Sequence, residues 1–306
     1  MSSSTASNAI VAEFEKKARG RTKTQNLIRF VRTKPLGAFG LSLILLLVFT
    51  AIFAPWIAPN DPSELRVDKL FKPPMFAAGG DEFILGTDNF GRDLFSRIVW
   101  GARISLYVSL TAVFFGSTFG GMLGLTSGYL GGRFDIIVQR IIDAKQSIPG
   151  LILALAIMAA LGASVNNVII AISIGIISSQ TRVIRSAALG IKQNMYIEAA
   201  KAIGAPGIRV LLRHMLPNCL APWLILVSAE LGGAILTEAS LSFLGLGTPP
   251  PDPSWGAMLS GAAQQFMERA PWMAIFPGLA ISAVVFGFNM FGDSLRDVLD
   301  PRLRRG

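Results

Sequence analysis

The sequence predicts an all-α integral membrane protein with six transmembrane helices. Hydrophobic residue types make up 52% of the 306 residues and charged types only 15%, whereas about 25% charged residues are usual in a soluble domain. Several stretches of about 20 residues carry almost no charge, and a helix of that length spans the hydrocarbon core of a bilayer. The basic residues gather in the segments that flank these stretches, as is typical of membrane proteins.

The first span is predicted at residues 36–58, after a polar segment at 1–35. That polar segment is longer than the basic region of a cleaved signal peptide, and the apolar run behind it is long enough to span, so we expect an uncleaved helix. Pro55 and Pro59 would end this helix near the far side. The other five spans are predicted at 104–130, at 148–163 with a helix that begins near Phe134, and at 165–181, 220–246 and 272–292.

The charges between the spans predict that both termini are cytoplasmic. With the N-terminus inside, the outer segments would be 59–103, a short turn near 164, and 247–271. These segments hold 7 of the 28 basic residues but 9 of the 19 acidic residues, in agreement with the positive-inside rule. The predicted divisions are a cytoplasmic tail at 1–35, the first span at 36–58, an extracytoplasmic loop at 59–103, a core of five spans at 104–292 and a cytoplasmic tail at 293–306.

The composition argues against several classes of function. A single cysteine, Cys219, excludes an internal disulfide, and a single histidine, His214, argues against histidine-based metal catalysis. The sequence contains no G-x-x-x-x-G-K-[ST] phosphate loop, so this chain cannot supply an ATPase of the usual kind. We expect no catalytic, cofactor-binding or metal-binding residue and no enzyme activity. The net charge of +9 flanks the apolar spans, which points to membrane lipid and not to nucleic acid.

The longest predicted cytoplasmic segment, residues 182–219, has the pattern of a small helix–turn–helix. The stretch 197–203 favours a short helix, and Glu198 lies in its early part, where a carboxylate suits the helix dipole. Gly204 can adopt a positive φ and end this helix. A second helix is expected at 208–215, ending before the fifth span. From this pattern alone, the segment fits a passive amphipathic connector as well as a docking surface.

Six residues in this segment form a spaced motif: Glu198, Ala199, Ala200, Gly204, Leu216 and Pro217. Their order and spacing resemble the EAA loop of the permease subunits of bacterial ATP-binding-cassette (ABC) importers. In that family the loop forms a coupling helix that lies in a groove of a cytoplasmic ATPase. The resemblance implies that these six residues couple the chain to an ATPase, with the two alanines forming a smooth contact face.

Three further segments narrow the resemblance. They read LGTD and GRD within 85–93, TEASLSFLGLGTPPPDPSWGAML at 237–259 and GDSLRDVLDPRLRRG at 292–306. All three are similar to the dipeptide-permease C type of the dipeptide/oligopeptide/nickel importer family. The resemblance runs from about residue 30 to the C-terminus. It implies the fold of a type I ABC importer permease and the translocation of di- or oligopeptides across a bacterial or archaeal cytoplasmic membrane.

The resemblance also implies a set of partners. A homologous permease subunit would complete a heterodimer, and two nucleotide-binding ATPase subunits would dock on the EAA loops. ATP and Mg would be bound by those ATPases, so no cofactor is expected in this chain. An extracytoplasmic binding protein would deliver substrate to the segments 59–103 and 247–271.

Ionisable residues within the spans are candidates for the translocation path. Glu230 and Glu238 lie in the predicted fifth span, where a carboxylate is costly and faces either a structural partner or an aqueous path. Lys145 either lines the inner mouth of a channel or snorkels to the interface. Nearby, Arg140 and Asp143 are three residues apart and suited to pair on one helix face. An alternative function stays open at this point, an ion-coupled secondary transporter in which Glu230 or Glu238 is the coupling carboxylate.

Overall fold

A computed structural model describes residues 31–80 and 82–299, without the side chains of 261–264 and 299. Most of the predicted N-terminal tail, the last seven residues of the C-terminal tail and Asp81 therefore lie outside the described residues. Within the described ranges the chain is helical, and its one isolated β-bridge joins Thr87 to Asp93. The helices are α1 Pro35–Ile52, α2 Ala54–Ile57, α3 Leu94–Leu130, α4 Gly132–Gln146, α5 Gly150–Leu161, α6 Val165–Lys192, α7 Met195–Ala202, α8 Gly207–Arg209, α9 Leu216–Phe243, α10 Trp255–Gln265 and α11 Trp272–Leu299.

Five helical segments in the described part are long and apolar enough to cross a membrane. They are α1, α3, α6, α11 and a continuous run from Gly207 to Phe243 that contains α9. The pair α4 and α5 would supply a sixth span if it crosses as one unit, although the two helices are bent by 86° relative to each other. The prediction of a helical membrane protein is confirmed, and the sixth span depends on this bent pair.

The third predicted span differs from the sequence expectation in shape. A single helix from near Phe134 to residue 163 was expected, but α4 ends at Gln146 and α5 begins at Gly150. Pro149 lies at the break and precedes the first turn of α5. A proline has no amide hydrogen and disfavours the helical conformation of the residue before it, here Ile148. The chain therefore bends at this point.

Two helices extend beyond the charge-free runs that were predicted as spans. Helix α3 begins at Leu94, ten residues before the predicted span, because the Asp93 side chain accepts hydrogen bonds from the backbone N–H groups of Phe95 and Ser96. Arg97 made this stretch look extramembrane, yet its guanidinium is buried and donates to the Pro62 carbonyl oxygen at 2.9 Å. The predicted loop 59–103 therefore includes the first turns of α3. Helix α6 likewise continues to Lys192, beyond the end of the predicted span at residue 181.

The predicted outer segment 247–271 contains a helix that the sequence analysis missed, α10. Its first residue, Trp255, is buried, and its indole N–H donates to the Ile98 carbonyl oxygen at 2.9 Å. The indole lies against Gly101, where a Cβ would come within 2.7 Å of the ring. Trp255 therefore locks α10 onto α3 and is not an anchor at the membrane surface.

The helices α3 and α6 form the most extensive pair in the fold. Small residues on α3 allow the two backbones to approach closely. A Cβ built on Gly116, Gly120 or Gly124 would lie 2.4 to 2.6 Å from a carbonyl oxygen of α6. The three carbonyl groups belong to Ser173, Ile177 and Thr181. This pair is the rigid frame that carries the loop after α6, which is described next.

Candidate coupling loop and translocation face

The C-terminal end of α6 leads directly into α7, the helix that contains the EAA-like residues. Helix α7 ends in a Schellman motif, in which the Ala205 N–H donates to the Ala200 carbonyl and the Gly204 N–H to the Lys201 carbonyl, both at 3.0 Å. Gly204 has a φ of +79°, the left-handed conformation that glycine adopts without strain. The expected helix stop at Gly204 is therefore confirmed, together with its cause.

The two faces of α7 have different neighbours. Ile197 is fully buried and Ala200 is 7% exposed, and both pack in a cluster with Leu125 of α3 and Ile184 of α6. Glu198 and Ala199 are exposed. Ala200 points into the protein. Of the two alanines expected at the contact face, only Ala199 is exposed, so the expectation is wrong for Ala200. Ala200 holds the loop to the membrane helices instead.

The exposed side of the loop carries large apolar side chains that the sequence analysis did not single out. Met195 is 84% exposed, Ile203 86% and Ile208 62%. Gly204 lies among them, and a Cβ built there would meet no atom within 4 Å. Large apolar side chains left exposed together at such a turn are characteristic of a protein interaction site. The sequence could have indicated them, because it places apolar residues close to a turn at positions that the buried face of an amphipathic helix does not explain.

The last two residues of the motif begin the next span. Leu216 is half-buried against the same cluster and Pro217 is exposed. The expected separate helix at 208–215 is wrong, because the chain stays helical from Gly207 to Phe243. Residues 210–215 form a π-helical turn that closes with the Leu216 N–H donated to the Leu211 carbonyl. This wider turn leads into α9 with Pro217 at its second residue, where the proline has no amide hydrogen to donate to a carbonyl of the preceding turn.

Tyr129, near the end of α3, fastens the loop from a second direction. Its carbonyl oxygen accepts a hydrogen bond from the Lys192 ammonium at 2.7 Å, and the Lys201 ammonium lies 5.6 Å from the centroid of its ring. The ring also leaves no free space at Gly207, where a Cβ would be 3.0 Å from the phenol oxygen. The loop is therefore held to α3 as well as to α6, so a displacement of the loop would be transmitted to both helices.

Two of the three candidate path residues come together on one face of α6. The Lys145 ammonium donates to the Gly175 carbonyl at 2.8 Å, and the Ser179 hydroxyl donates to the Glu230 carboxylate at 2.6 Å. Gly175 and Ser179 are one helical turn apart, and the charges of Lys145 and Glu230 attract each other. Lys145 and Glu230 are each only partly buried in this chain.

Ion pairs fix α4 to the C-terminal half of α6. Arg185 binds both carboxylate oxygens of Asp135, at 2.6 and 2.5 Å, and Arg182 contacts Asp143 at 2.5 Å. The expected pair between Arg140 and Asp143 does not form, because Asp143 faces α6. The arginines of the inner segment therefore contribute to the helix arrangement.

The third candidate, Glu238, has a different environment. Its side chain is fully buried and accepts hydrogen bonds from three serine hydroxyl groups. The donors are Ser105 of α3 at 3.1 Å, Ser242 of α9 at 2.8 Å and Ser254 before α10 at 3.0 Å. Three hydrogen bonds offset part of the cost of burying the carboxyl group. The arrangement joins three segments of the chain and corresponds to the structural role considered for this residue.

Comparison with known proteins identifies the family. Residues 120–305 match the family of the binding-protein-dependent transport system inner membrane component. This chain belongs to that family of permeases. A second match, of residues 24–74 to the N-terminal TM domain of oligopeptide transport permease C, confirms the dipeptide/oligopeptide branch. In the described part of the permease, no three His, Cys, Asp or Glu side chains form a group that could hold a metal ion.

Relatives of this permease extend over almost its whole length. The di/tripeptide transport system permease protein DppC of Pseudomonas aeruginosa is 43% identical over 87% of this chain and 88% of its own. The glutathione transport system permease protein GsiD of Escherichia coli is 41% identical over 93% of this chain and 92% of its own. A putative peptide transport system permease protein of Brucella suis is 42% identical over 87% of both chains.

The solved structures support the fold. A chain of the MetNI methionine ABC transporter in an inward-facing conformation aligns with a TM-score of 0.56 at 18% identity, and the alignment covers 67% of this permease and 96% of that chain. The permease therefore has the fold of an ABC importer subunit. These relatives do not favour the alternative of an ion-coupled secondary transporter.

Proposed function

We propose that this permease is one of two homologous membrane subunits of an ABC importer for di- or oligopeptides in a bacterial or archaeal cytoplasmic membrane. The relatives that cover nearly the whole chain are named for peptide, di/tripeptide and glutathione transport, which supports this class of cargo. The charge distribution supports a cytoplasmic location of both termini. The segments 59–103 and 247–271 would receive substrate from an extracytoplasmic binding protein.

The exposed loop around α7 is the observation on which the coupling role depends. Met195, Ile203 and Ile208 present apolar surface beside the open position at Gly204, and Ile197 and Ala200 anchor this surface to α3 and α6. A partner ATPase that holds ATP and Mg would cover these side chains. Closure of two ATPases would then move the loop and the helices to which it is fastened, which produces alternating access.

Within the membrane we propose that Lys145 and Glu230 face the translocation path, whereas Glu238 holds the helices together. The first two are partly exposed in this chain and lie on one face of α6. A homologous subunit packed opposite that face would enclose them in a polar passage. Ionisable groups in membrane spans are usually found at such places.

Uptake of a labelled dipeptide tests this function. The permease is produced with its partner subunits and binding protein in cells that lack every other peptide importer, and uptake of radiolabelled Ala-Phe is measured. We expect uptake that depends on this chain and on intact partner ATPases, and no ATP hydrolysis by the purified chain alone. If cells that contain all subunits import no peptide of a panel that includes glutathione, the proposed cargo class is wrong.

A further inference from the structure

A cavity of about 770 Å³ opens at the predicted extracytoplasmic end of the chain. It lies where the segment after α2, the first part of α3 and the loop before α10 meet. The polar and aromatic residues that line it include Asn60, Asp61, Trp100, Arg103, Tyr107 and Asp252. The volume falls in the range of roughly 300 to 1,000 Å³ that is usual for small-molecule sites.

Arg103 is the positive charge of this cavity. Its side chain is exposed, and its guanidinium lies 5.6 Å from the centroid of the Trp100 ring. In the described residues the guanidinium has no hydrogen-bond or ion-pair partner, whereas the neighbouring Arg92 and Arg97 both contact Asp88. The fork of an arginine matches a carboxylate, with which it forms two parallel hydrogen bonds. Arg103 is therefore available for a carboxylate from outside the chain.

Two carboxylates line the same cavity. Asp252 is exposed and, within the described ranges, makes no hydrogen bond. Asp61 accepts one hydrogen bond, from the Ser63 N–H to Oδ1 at 2.8 Å, and its other carboxylate oxygen is unused by the described residues. The cavity thus offers binding partners for an anion and for a cation together.

The wall of the cavity is rigid. Asn60 donates from its amide nitrogen to Asp93 at 3.1 Å and accepts from Arg66 at 2.9 Å, so the start of the outer loop is tied to the first turn of α3. Much of the remaining wall consists of prolines, whose φ is fixed. They are Pro55, Pro59, Pro62 and Pro253. A preformed site loses little conformational entropy when a ligand binds.

We propose that this cavity binds the charged ends of a peptide before translocation, Arg103 taking the terminal carboxylate and Asp252 with Asp61 the terminal ammonium group. The proposal rests on the proposed function of peptide import. Every unmodified linear peptide has these two charges, whatever its side chains. A site that binds only the terminal groups therefore accepts many peptide sequences. Trp100 and Tyr107 supply an aromatic surface for apolar side chains of the peptide.

The mixture of charges favours a free peptide over a segment of the binding protein. An internal segment of a protein has no free termini, and it would bury Arg103 and the two aspartates unless it carried matching charges at both places. Burial of unpaired charges is costly. A zwitterionic peptide satisfies both signs at once.

Photolabelling of the complete importer tests the site without the binding protein. The importer in lipid nanodiscs is exposed to radiolabelled Ala-benzoylphenylalanine, irradiated and digested. We expect labelling within residues 100–107 that unlabelled Ala-Phe prevents and that N-acetyl-Ala-Phe-amide does not. Labelling at another place, or equal competition by the capped peptide, would overturn the proposal.

Variants assign the two charges. Arg103→Gln should weaken labelling by the free peptide roughly 10- to 100-fold, because charged hydrogen bonds are lost, and should not change the weak labelling by the C-terminal amide of the probe. Asp252→Asn should likewise weaken labelling by the free peptide, and it should not change the weak labelling by an N-acetylated probe. Arg133→Gln removes an exposed arginine at the start of α4 and should label like the wild type.

The outcomes separate this proposal from the proposed function. If cells import Ala-Phe but Arg103→Gln and Asp252→Asn label normally, the cavity is not the peptide site and the import function stands. Cross-linking of the importer to the binding protein is measured in the same variants. If they label normally and only this cross-linking is lost, the cavity is a docking site for that protein and the proposal is wrong. If cells import no peptide but labelling at 100–107 stays specific, the cavity binds peptide termini, whereas the import function and the role of the site before translocation are wrong.

Discussion

The residues of the coupling loop divide into those that hold it and those that face a partner. Ile197 and Ala200 are buried against α3 and α6, whereas Ala199 and Gly204 point outward. Gly204 combines two properties, a φ of +79° and open space where a side chain would begin. A substitution there can therefore disturb the backbone, a docked partner, or both.

Gly204→Asp should abolish peptide uptake while the protein remains in the membrane. The new carboxylate would be buried without a partner at the ATPase interface, which costs several kcal/mol, and each 1.4 kcal/mol corresponds to about a tenfold loss of affinity. The measurement is uptake of labelled Ala-Phe at matched membrane abundance, together with ATPase co-purification. Glu198→Ala should act in the same direction but more mildly, because only its contribution to the helix dipole and to local hydrogen bonds is lost.

Gly204→Asn is the matched control for the charge. Asparagine has nearly the shape of aspartate and also tolerates a positive φ, so both variants impose a similar backbone cost. Uptake by the asparagine variant should exceed that by the aspartate variant. Wild-type uptake by Gly204→Asp would contradict the assignment of a coupling helix. An equal loss of uptake in both variants would indicate that the backbone conformation at Gly204 is disturbed, and not a docked surface.

At the scale of helices, the close approach of α3 and α6 explains why three glycines recur at every fourth position of α3. Gly120→Val should destabilise the protein by about 1 to 3 kcal/mol through overpacking, because even its Cβ would lie 2.6 Å from the Ile177 carbonyl oxygen. A lower thermal midpoint of the purified importer is the expected result. Gly190→Ala, at a helical position of α6 with no atom within 4 Å, should be neutral or stabilising. An unchanged midpoint for Gly120→Val would contradict the observed packing.

The two ion pairs between α4 and α6 should differ in importance. The Asp135 side chain is 13% exposed and Arg185 30%, whereas Asp143 and Arg182 are each 46% exposed. Arg185→Gln would leave the Asp135 carboxylate with the Ser127 hydroxyl but without its arginine partner, and should cost about 1 to 3 kcal/mol. Arg182→Gln should cost less than about 1 kcal/mol. Thermal unfolding of the two variants checks the order, and a swap of charges between 135 and 185 should recover part of the loss.

At the scale of the whole molecule, the orientation of the chain follows from its charges and can be measured by cysteine labelling. On a Cys219→Ala background, Ala78→Cys should react with a membrane-impermeant maleimide in intact spheroplasts, since residue 78 is exposed on the predicted outer loop. Gly190→Cys should react only after permeabilisation, which also shows that the thiol is accessible. Labelling of position 190 in intact spheroplasts would reverse the topology.

Several features of this permease could be predicted from the sequence because they depend on local chemistry. Charge-free stretches identified helical spans, and Gly204 identified the helix stop, since a left-handed residue is required there whatever surrounds it. The motif from Glu198 to Pro217 identified the family. The bend at Pro149 was predictable in principle, because proline disfavours a straight helix, but the apolar run at 148–163 is short and suggested a single helix that begins near Phe134.

Other features were decided only by the tertiary structure, because they depend on what lies opposite a side chain. Glu230 and Glu238 are the same residue type eight positions apart on one helix, yet Glu238 meets three serine hydroxyl groups in the interior and Glu230 meets one, on a half-open face. Ala199 and Ala200 are neighbours of the same size, and helical geometry turns one outward and the other into the core. The sequence determined which groups are present. The packing of helices distant in sequence determined which of them are buried, paired or left open to a partner, because the burial and pairing of a side chain depend on neighbours that only the folded chain brings together.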